Sequence, residues 1–284
     1  MNGILVVDKS QGMTSHDVIT KIKRKYKLDK IGHAGTLDPI ATGVLVVLVN
    51  QATKLSNYIL NDDKEYLCEI TIGASTTTED IEGEIISEKE VKKLNNVDEV
   101  LNSLLGTIEQ IPPMYSAVRQ HGLKLYQLAR EGIEVKRKPR EVIIYDIKRV
   151  SDIVYHDNKA SFFFQASVSK GTYLRTLCVE IGNRLGYPAH MKSLRRLRSG
   201  DFTIENASTL PQILEGNFKL INMLEVFKDY EIIEVDKSMI DDIDNGKKLK
   251  LKCKNKTVVL SYQGDLKAIY ERDKYLYRAK RVWK

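Results

Sequence analysis

The chain has little of what organises a secreted, metal-bound or membrane-embedded protein. Only three cysteines, Cys68, Cys178 and Cys253, occur in 284 residues, and none stands at the paired spacings of a disulfide framework or a zinc site. Cys68 and Cys178 fall on apolar positions and read as small core residues. The five histidines, His16, His33, His121, His156 and His190, also lack metal-ligand spacing. No apolar run approaches the length of a membrane span, and the opening Met1-Asn2-Gly3-Ile4-Leu5-Val6-Val7 has no basic residue before its apolar ones. Missing too are the Gly-x-x-x-x-Gly-Lys-Ser/Thr order of a phosphate loop and the ribose-binding acid that follows Gly-x-Gly-x-x-Gly, which argues against a nucleotide cradle. Together these absences predict a cytoplasmic, metal-free protein with no membrane association.

Positive charge, by contrast, is in excess. Forty-five Lys and Arg face 38 Asp and Glu, for a net charge of +7. Clustered cations attract phosphates whatever the sequence, so nucleic acid leads the candidate partners. With 42% hydrophobic and 29% charged residues, the chain is long enough for one large domain or two smaller ones.

One carboxylate stands in a stretch otherwise free of acids and of Lys and Arg, Gly32-His33-Ala34-Gly35-Thr36-Leu37-Asp38-Pro39-Ile40-Ala41-Thr42-Gly43-Val44-Leu45. Its glycines give backbone freedom, while Pro39 fixes its own φ and pushes Asp38 toward an extended conformation. The apolar run Val44–Val49 reads as a buried strand, which sets Asp38 at the edge of a core. Asp-Pro beside glycines is also the signature of an ordinary turn, and the loop alone does not separate the two readings.

Periodicity predicts an α+β fold. Ile4–Val7 is a short strand, and Thr14 caps a helix with Asp17 as the capping-box acid and Val18, Ile19, Ile22 and Tyr26 on one side. Lys21, Lys23, Arg24, Lys25 and Lys27 crowd that helix's polar side, either tracking phosphates or simply solvated. Tyr66, Cys68, Ile70 and Ile72 alternate as the buried side of a strand. Residues 87–107 read as a helix broken near Asn95-Asn96, with Val91, Leu94, Val100, Leu101, Leu104 and Leu105 inward. Strand Ser161–Ser169 runs into Lys170-Gly171-Thr172, and Leu174, Leu177, Cys178, Ile181 and Leu185 mark a helix ending at Gly186. Thr172 is the predicted N-cap, placing Tyr173 and Arg175 in the first turn. A cation there is mildly disfavoured by the helix dipole, so Arg175 calls for an anionic partner.

Between Tyr115 and Val142 the character changes. Arg119, His121, Lys124, Arg130, Lys136, Arg137, Lys138 and Arg140 outnumber Glu131, Glu134 and Glu141, with Tyr115 and Tyr126 interleaved. Cations that contact phosphates and rings that stack bases read as an RNA-gripping insertion, against a plain charged hairpin as the alternative. After Leu210 a linker-like stretch leads to short strands near Tyr230–Val235, Thr257–Tyr262 and Leu266–Tyr270, the last two joined by a turn at Gln263-Gly264-Asp265. Lysines dominate from Lys247 to Lys256.

The string GHAGTLDPIATGVL resembles the catalytic loop of the TruB family of tRNA pseudouridine synthases. Val6-Val7-Asp8-Lys9-Ser10-Gln11-Gly12-Met13-Thr14-Ser15 is similar to that family's N-terminal motif, with Ser10 in place of the usual proline. Further matches are Lys64-Glu65-Tyr66, Lys170-Gly171-Thr172-Tyr173-Leu174-Arg175-Thr176 and Leu194-Arg195-Arg196-Leu197-Arg198-Ser199-Gly200-Asp201-Phe202, in the family's order over residues 3–210.

The resemblance implies a mixed, largely antiparallel sheet with flanking helices as a catalytic domain over 1–215. It also implies a thumb-like RNA-binding insertion at about 115–142 and a small β-rich PUA-like RNA-binding domain over 228–284. The implied reaction isomerises the T-loop uridine at tRNA position 55 to pseudouridine by base flipping, without cofactor or metal, in a monomer that grips the T-arm. By the same matching Asp38 is the nucleophile, and Arg175 is its bidentate partner, orienting it and offsetting the effect of burial on its pKa. Tyr66 stacks on the uracil and stands near C5 as the base, Tyr173 and Leu194 line the pocket, and His33 fills the space left by the flipped base. Three chemical routes stay open: attack on C1′, removal of the 2′ proton to give a glycal, and addition to C6. Two other functional classes share these residues, an RNA-folding chaperone and a guide-RNA-dependent subunit of a larger particle.

Overall fold

The computed structural model describes residues 1–59, 63–116, 118–120, 122–133 and 135–284, without the side chains of Arg119, Gln120, Lys124, Tyr126 and Arg130. The expected phosphate contacts of Arg119, Lys124 and Arg130, and those of His121, therefore lie outside the described atoms. Among the described residues no helix is long and apolar enough to cross a membrane.

Strand β1 (Gly3–Lys9) leads to α1 (Ser15–Tyr26), then β2 (Ile31–Ala34), β3 (Thr42–Val49) and β4 (Lys64–Ile72). Next come α2 (Val97–Asn102), β5 (Gly106–Gln110), α3 (Leu125–Arg130), β6 (Arg140–Arg149), β7 (Lys159–Val168), α4 (Leu174–Leu185) and β8 (Ala189–Ser199). These strands form the spine of one sheet in the order β1-β3-β8-β4-β7-β6-β5. Among the described residues of this sheet, β8 on β3 and Ser208–Thr209 on β1 pair parallel and the other ladders are antiparallel, as a mixed, largely antiparallel sheet requires.

The apolar runs explain which part of the sheet is covered twice. In β3, Leu45, Val47 and Val49 face a core shared with α1 and α4, while Val44, Val46 and Leu48 face a second core with Phe227 and Trp283. A strand buried on both faces reads as continuous hydrophobicity. In β4 and β7 the alternation of Tyr66, Cys68, Ile70 and Ile72 with Phe162, Phe164, Ala166 and Val168 fits one covered face, packed against α4. Cys68 and Cys178 meet there with sulfurs 3.5 Å apart, both buried.

The Thr14–Asp17 capping box of α1 forms as the sequence indicates, with both reciprocal hydrogen bonds present. Residues 87–107 do not form the expected broken helix. Only α2 is helical there; Ile85–Glu88 is a strand paired with Ala74–Thr76, and Gly106 already belongs to β5. Val91 and Leu94 are buried in the main core, and their backbone N–H groups bond to partners far along the chain, Val91 to the Asn158 carbonyl (2.8 Å) and Leu94 to the Tyr155 hydroxyl (2.9 Å). Periodicity cannot tell such burial from a helix face. Leu105, expected inward, is exposed.

The stretch after Leu210 is a short helix, α5 (Leu210–Glu215), rather than a linker. Its own capping box, Thr209 with Gln212, and Pro211 in its first turn start it, and Gly216 ends it. The C-terminal strands β9 (Glu231–Glu234), β10 (Thr257–Tyr262), β11 (Asp265–Asp273) and β12 (Leu276–Val282) form a second, four-stranded sheet. Gln263 and Gly264 both take positive φ between β10 and β11, the two-residue hairpin geometry that favours glycine. This sheet has its own core around Tyr270 and Tyr277, and it also packs on the main sheet: Val259, Leu266, Ile269 and Trp283 join the second core.

Candidate active site

The loop between β2 and β3 carries Asp38, and three neighbouring segments hold it. Lys9, buried at the end of β1, donates through Nζ to the carbonyls of Met13 (2.7 Å), Ser10 (3.0 Å) and Pro39 (3.3 Å). Ser15, the first residue of α1, accepts from the Leu37 N–H (2.9 Å) and donates to the Leu37 carbonyl (3.2 Å). From β8 the fully buried Arg196 donates to the carbonyls of Val44 (2.7 Å), Gly35 (3.0 Å) and Thr36 (3.5 Å). The two N-terminal motifs thus form one cradle. Gly43, at φ +95°, passes so close to β8 that a Cβ there would lie 2.2 Å from the Arg196 carbonyl oxygen. Glycine is required at that crossing.

Arg175 lies in the first turn of α4, buried, with Nη2 3.1 Å from Asp38 Oδ2. This is a single contact, not the bidentate pair expected, because the rest of the guanidinium is engaged. Nη1 donates to the Thr78 carbonyl (3.1 Å) and stands 3.7 Å from Asp80, while Nη2 also donates to the Tyr115 carbonyl (2.7 Å). The Asp38 side chain is 41% exposed, against 5% for Arg175, so the carboxylate faces open space while its partner is fixed behind it. The N-cap of α4 is Tyr173 rather than Thr172, whose hydroxyl turns back to the Ser169 carbonyl (2.9 Å).

Asp80 escaped the sequence reading. It sits in a turn made by Glu79 at φ 63°, where its carboxylate accepts from the Thr78 hydroxyl (2.5 Å) and the Glu82 N–H (3.1 Å). Glu79 itself turns inward to the Thr176 hydroxyl (2.6 Å), and burial pushes its carboxyl pKa up. The run Thr76-Thr77-Thr78-Glu79-Asp80, hydroxyls followed by acids, was the available signal for a side-chain-stapled turn.

Around these groups lies a cleft of about 570 Å³, a size suited to one nucleotide-scale ligand. Asp38, Tyr66, Tyr173, Arg175 and Leu194 all line it, together with Asp80 and Tyr115. Tyr66 is 8% exposed at the start of β4, opposite Arg196 of β8. Burial pushes the Tyr173 phenol up. His33 does not line the cleft. It lies half-buried in β2, ahead of the loop, with no hydrogen-bond partner for Nδ1 among the described residues, and burial together with the Arg196 charge holds its imidazole below the usual range.

The thumb-like insertion leaves the sheet at Gln110 and returns at Arg140, which pair across β5 and β6. It holds a short hairpin, Arg119–Gln120 with Leu123–Lys124, and α3, whose Leu125 and Leu128 are buried. Lys136, Lys138 and Arg140 are exposed on the returning leg, and Arg137 donates to the Pro112 carbonyl (3.0 Å), tying the two legs together.

Comparison with known proteins fits this architecture. The profile of the TruB family pseudouridylate synthase N-terminal domain matches residues 23–174, and that of the tRNA pseudouridylate synthase B C-terminal domain matches residues 175–223, ending ahead of β9. The tRNA pseudouridine synthase B of Streptococcus sanguinis (strain SK36) is 41% identical over 291 residues, covering 100% of both chains. That of Bacillus subtilis (strain 168) is 50% identical over 216 residues, 75% of this chain and 70% of its own. Among solved structures, a Cbf5-Nop10-Gar1 complex aligns with a TM-score of 0.70 at 25% identity, covering 99% of this chain and 84% of that one. An H/ACA ribonucleoprotein bound to a substrate RNA containing 2′-deoxyuridine aligns at 0.69 with 23% identity, covering 99% and 85%.

Fold and cleft are therefore those of a pseudouridine synthase, an isomerase. The chain belongs to the TruB family of these enzymes.

Proposed function

We propose that the protein acts alone on tRNA, converting the T-loop uridine at position 55 to pseudouridine. The observation that carries this reading is Asp38 held at the mouth of the cleft by buried Arg175. The reaction breaks the bond from C1′ to N1, turns the uracil within the cleft and joins C1′ to C5, with no redox change and no external donor. The protein then needs a carboxylate, a closed pocket and a base for the C5 proton. Asp38 serves as the carboxylate. Whether it attacks C1′ or removes the 2′ proton, it acts as a carboxylate, and the guanidinium 3.1 Å away holds it in place. Tyr66 stacks on the uracil and stands by C5, and Tyr173 and Leu194 close the pocket.

His33, outside the cleft and neutral by its surroundings, fills the gap that the extruded base leaves in the RNA stack. The uracil turns only if no water or solute displaces it, which is the part of the thumb that closes over the T-arm. Lys136, Arg137, Lys138 and Arg140, with Arg119, Lys124 and Arg130, grip phosphates there. Residues 1–215 form the catalytic domain, and residues 228–284 form a PUA-like second grip on the RNA. The enzyme works as a monomer.

A guide-RNA-dependent reading is suggested by the ribonucleoprotein neighbours in fold, but the basic insertion favours direct grip of tRNA. Purified protein incubated with an unmodified tRNA transcript, with no other RNA or protein added, is expected to form pseudouridine at position 55. Absence of product there, or product at another position, contradicts this reading.

A further inference from the structure

We propose that Gln110 is a positioning residue of this reaction: its side-chain amide fastens the root of the thumb to the N-terminus of α4 and so sets Tyr173 and Arg175 in the cleft. The inference rests on the isomerase reading above. Gln110 is the last residue of β5, the edge strand of the sheet, and it pairs with Arg140, the first residue of β6. The insertion hangs from this pair.

The Gln110 side chain turns inward and is 5% exposed. Its Oε1 accepts from the Tyr173 N–H (2.7 Å), and its Nε2 donates to the Tyr173 carbonyl (3.0 Å). Both halves of the amide are spent on one residue, and the backbone donor and acceptor of Tyr173 fix which way the amide faces. The Tyr173 carbonyl also accepts from the Leu177 N–H (3.0 Å), so it starts the helix and meets the thumb root at once.

Tyr173 needs outside help. As the N-cap of α4 it lies in extended conformation, φ −100° and ψ 113°, with no side-chain capping bond. A capping box would hold its N–H with the residue three positions on. That residue, Thr176, donates its hydroxyl to Glu79 instead. Gln110 supplies the missing half of the box from another strand. A second tie runs parallel to it: Arg175 donates to the Tyr115 carbonyl (2.7 Å). Gln110 and Tyr115 thus meet the start of α4 at Tyr173 and Arg175, two residues that line the cleft. A thumb closing on RNA pulls on Tyr173 and Arg175 first, and Gln110 is the fixed point of that lever.

The test uses full-length protein and an unmodified tRNA transcript, with single-turnover rates at saturating enzyme and RNA affinity measured separately. In Gln110→Met, which keeps the length and removes both bonds, the saturated rate is expected to fall at least tenfold. Affinity should stay within threefold of wild type, because the thumb keeps its cations. Gln110→Glu adds a readout that mere packing does not move. As a carboxylate it offers acceptors to both Tyr173 groups; once protonated it restores an O–H donor to the Tyr173 carbonyl. Its rate relative to wild type is expected to recover as pH falls from 8 to 6, in a setting whose charged groups around Tyr173 are Arg140, Arg175 and Asp38. Should Gln110→Met fail to fold, this second variant carries the test. A saturated rate within threefold of wild type, a loss confined to RNA affinity, or a Glu profile parallel to wild type overturns the role of Gln110. A wild type that forms no pseudouridine overturns the isomerase reading itself, whatever the variants do.

Discussion

Replacing Arg175 by Met separates what the guanidinium does for the fold from what it does for the reaction. The substitution removes a cation 3.1 Å from Asp38 and 3.7 Å from Asp80 and frees two carbonyl oxygens. Asp80 has only 7% of its side chain exposed, so it is left as a buried carboxylate with no ion-pair partner among the described residues. Breaking such a pair by deleting one partner costs about 3–5 kcal/mol, and the 3.7 Å separation places this one near the lower figure. A loss of about 3 kcal/mol is a large part of a stability of roughly 5–15 kcal/mol and is measurable by urea unfolding. Asp38 is 41% exposed, so its separation from the cation adds little to that figure.

The rate depends on Asp38 instead. The ion pair with Arg175 orients the carboxylate, and a misplaced catalytic group corresponds to a saturated rate lower by roughly 10–100-fold. Adding Asp80→Asn to Arg175→Met neutralises the stranded charge while its amide oxygen still accepts from Thr78 and Glu82. The double variant is therefore expected to regain most of the lost stability and none of the lost rate. Arg175→Met turning over within threefold of wild type, or a double variant that recovers rate along with stability, refutes the separation.

Two further outcomes follow from the same geometry. Burial lowers the Lys9 ammonium to about 8, against an ordinary value of 10.5, so the folded protein releases a proton there that the unfolded chain keeps until higher pH. This group's contribution to stability consequently rises with pH between those values, whereas activity falls above about pH 8, because a neutral amine has two N–H groups for three carbonyls. The wild-type rate profile should show that alkaline limb, and Lys9→Met should lack it at a uniformly lower rate; an identical limb in the variant excludes Lys9 as its source. In the thumb, changing Lys136, Lys138 and Arg140 together to Gln is expected to reduce the slope of log affinity against log salt by roughly 2–3, at about 0.7–0.9 for each phosphate no longer neutralised. An unchanged slope in filter binding removes these three from the RNA interface.

How much of this was legible in the sequence depended on how local each determinant is. The capping box of α1 and the buried run of β3 are carried by residues within a few positions of each other, and both formed as read. Residues 87–107 misled because Val91 and Leu94 are buried in the main core from a non-helical segment whose backbone N–H groups bond to Asn158 and Tyr155, far along the chain. The Arg175–Asp38 contact followed from a dipole argument and a family resemblance, but its single-point geometry depends on the Thr78 and Tyr115 carbonyls, which no residue type announces. Asp80 is brought to the cleft by one left-handed residue, Glu79. The cation cradle is a third case: Lys9 and Arg196 were visible as motif letters, but their grip on the Asp38 loop runs entirely through backbone carbonyls.

The central claim is that Asp38 carries out the chemistry. Asp38→Asn keeps the shape of the side chain and an acceptor for Arg175, and removes only the negative charge. Pseudouridine mapping on a tRNA transcript at saturating enzyme should then find no product at position 55, while tRNA affinity and unfolding midpoint match wild type. Product formed by Asp38→Asn at the wild-type rate contradicts the account.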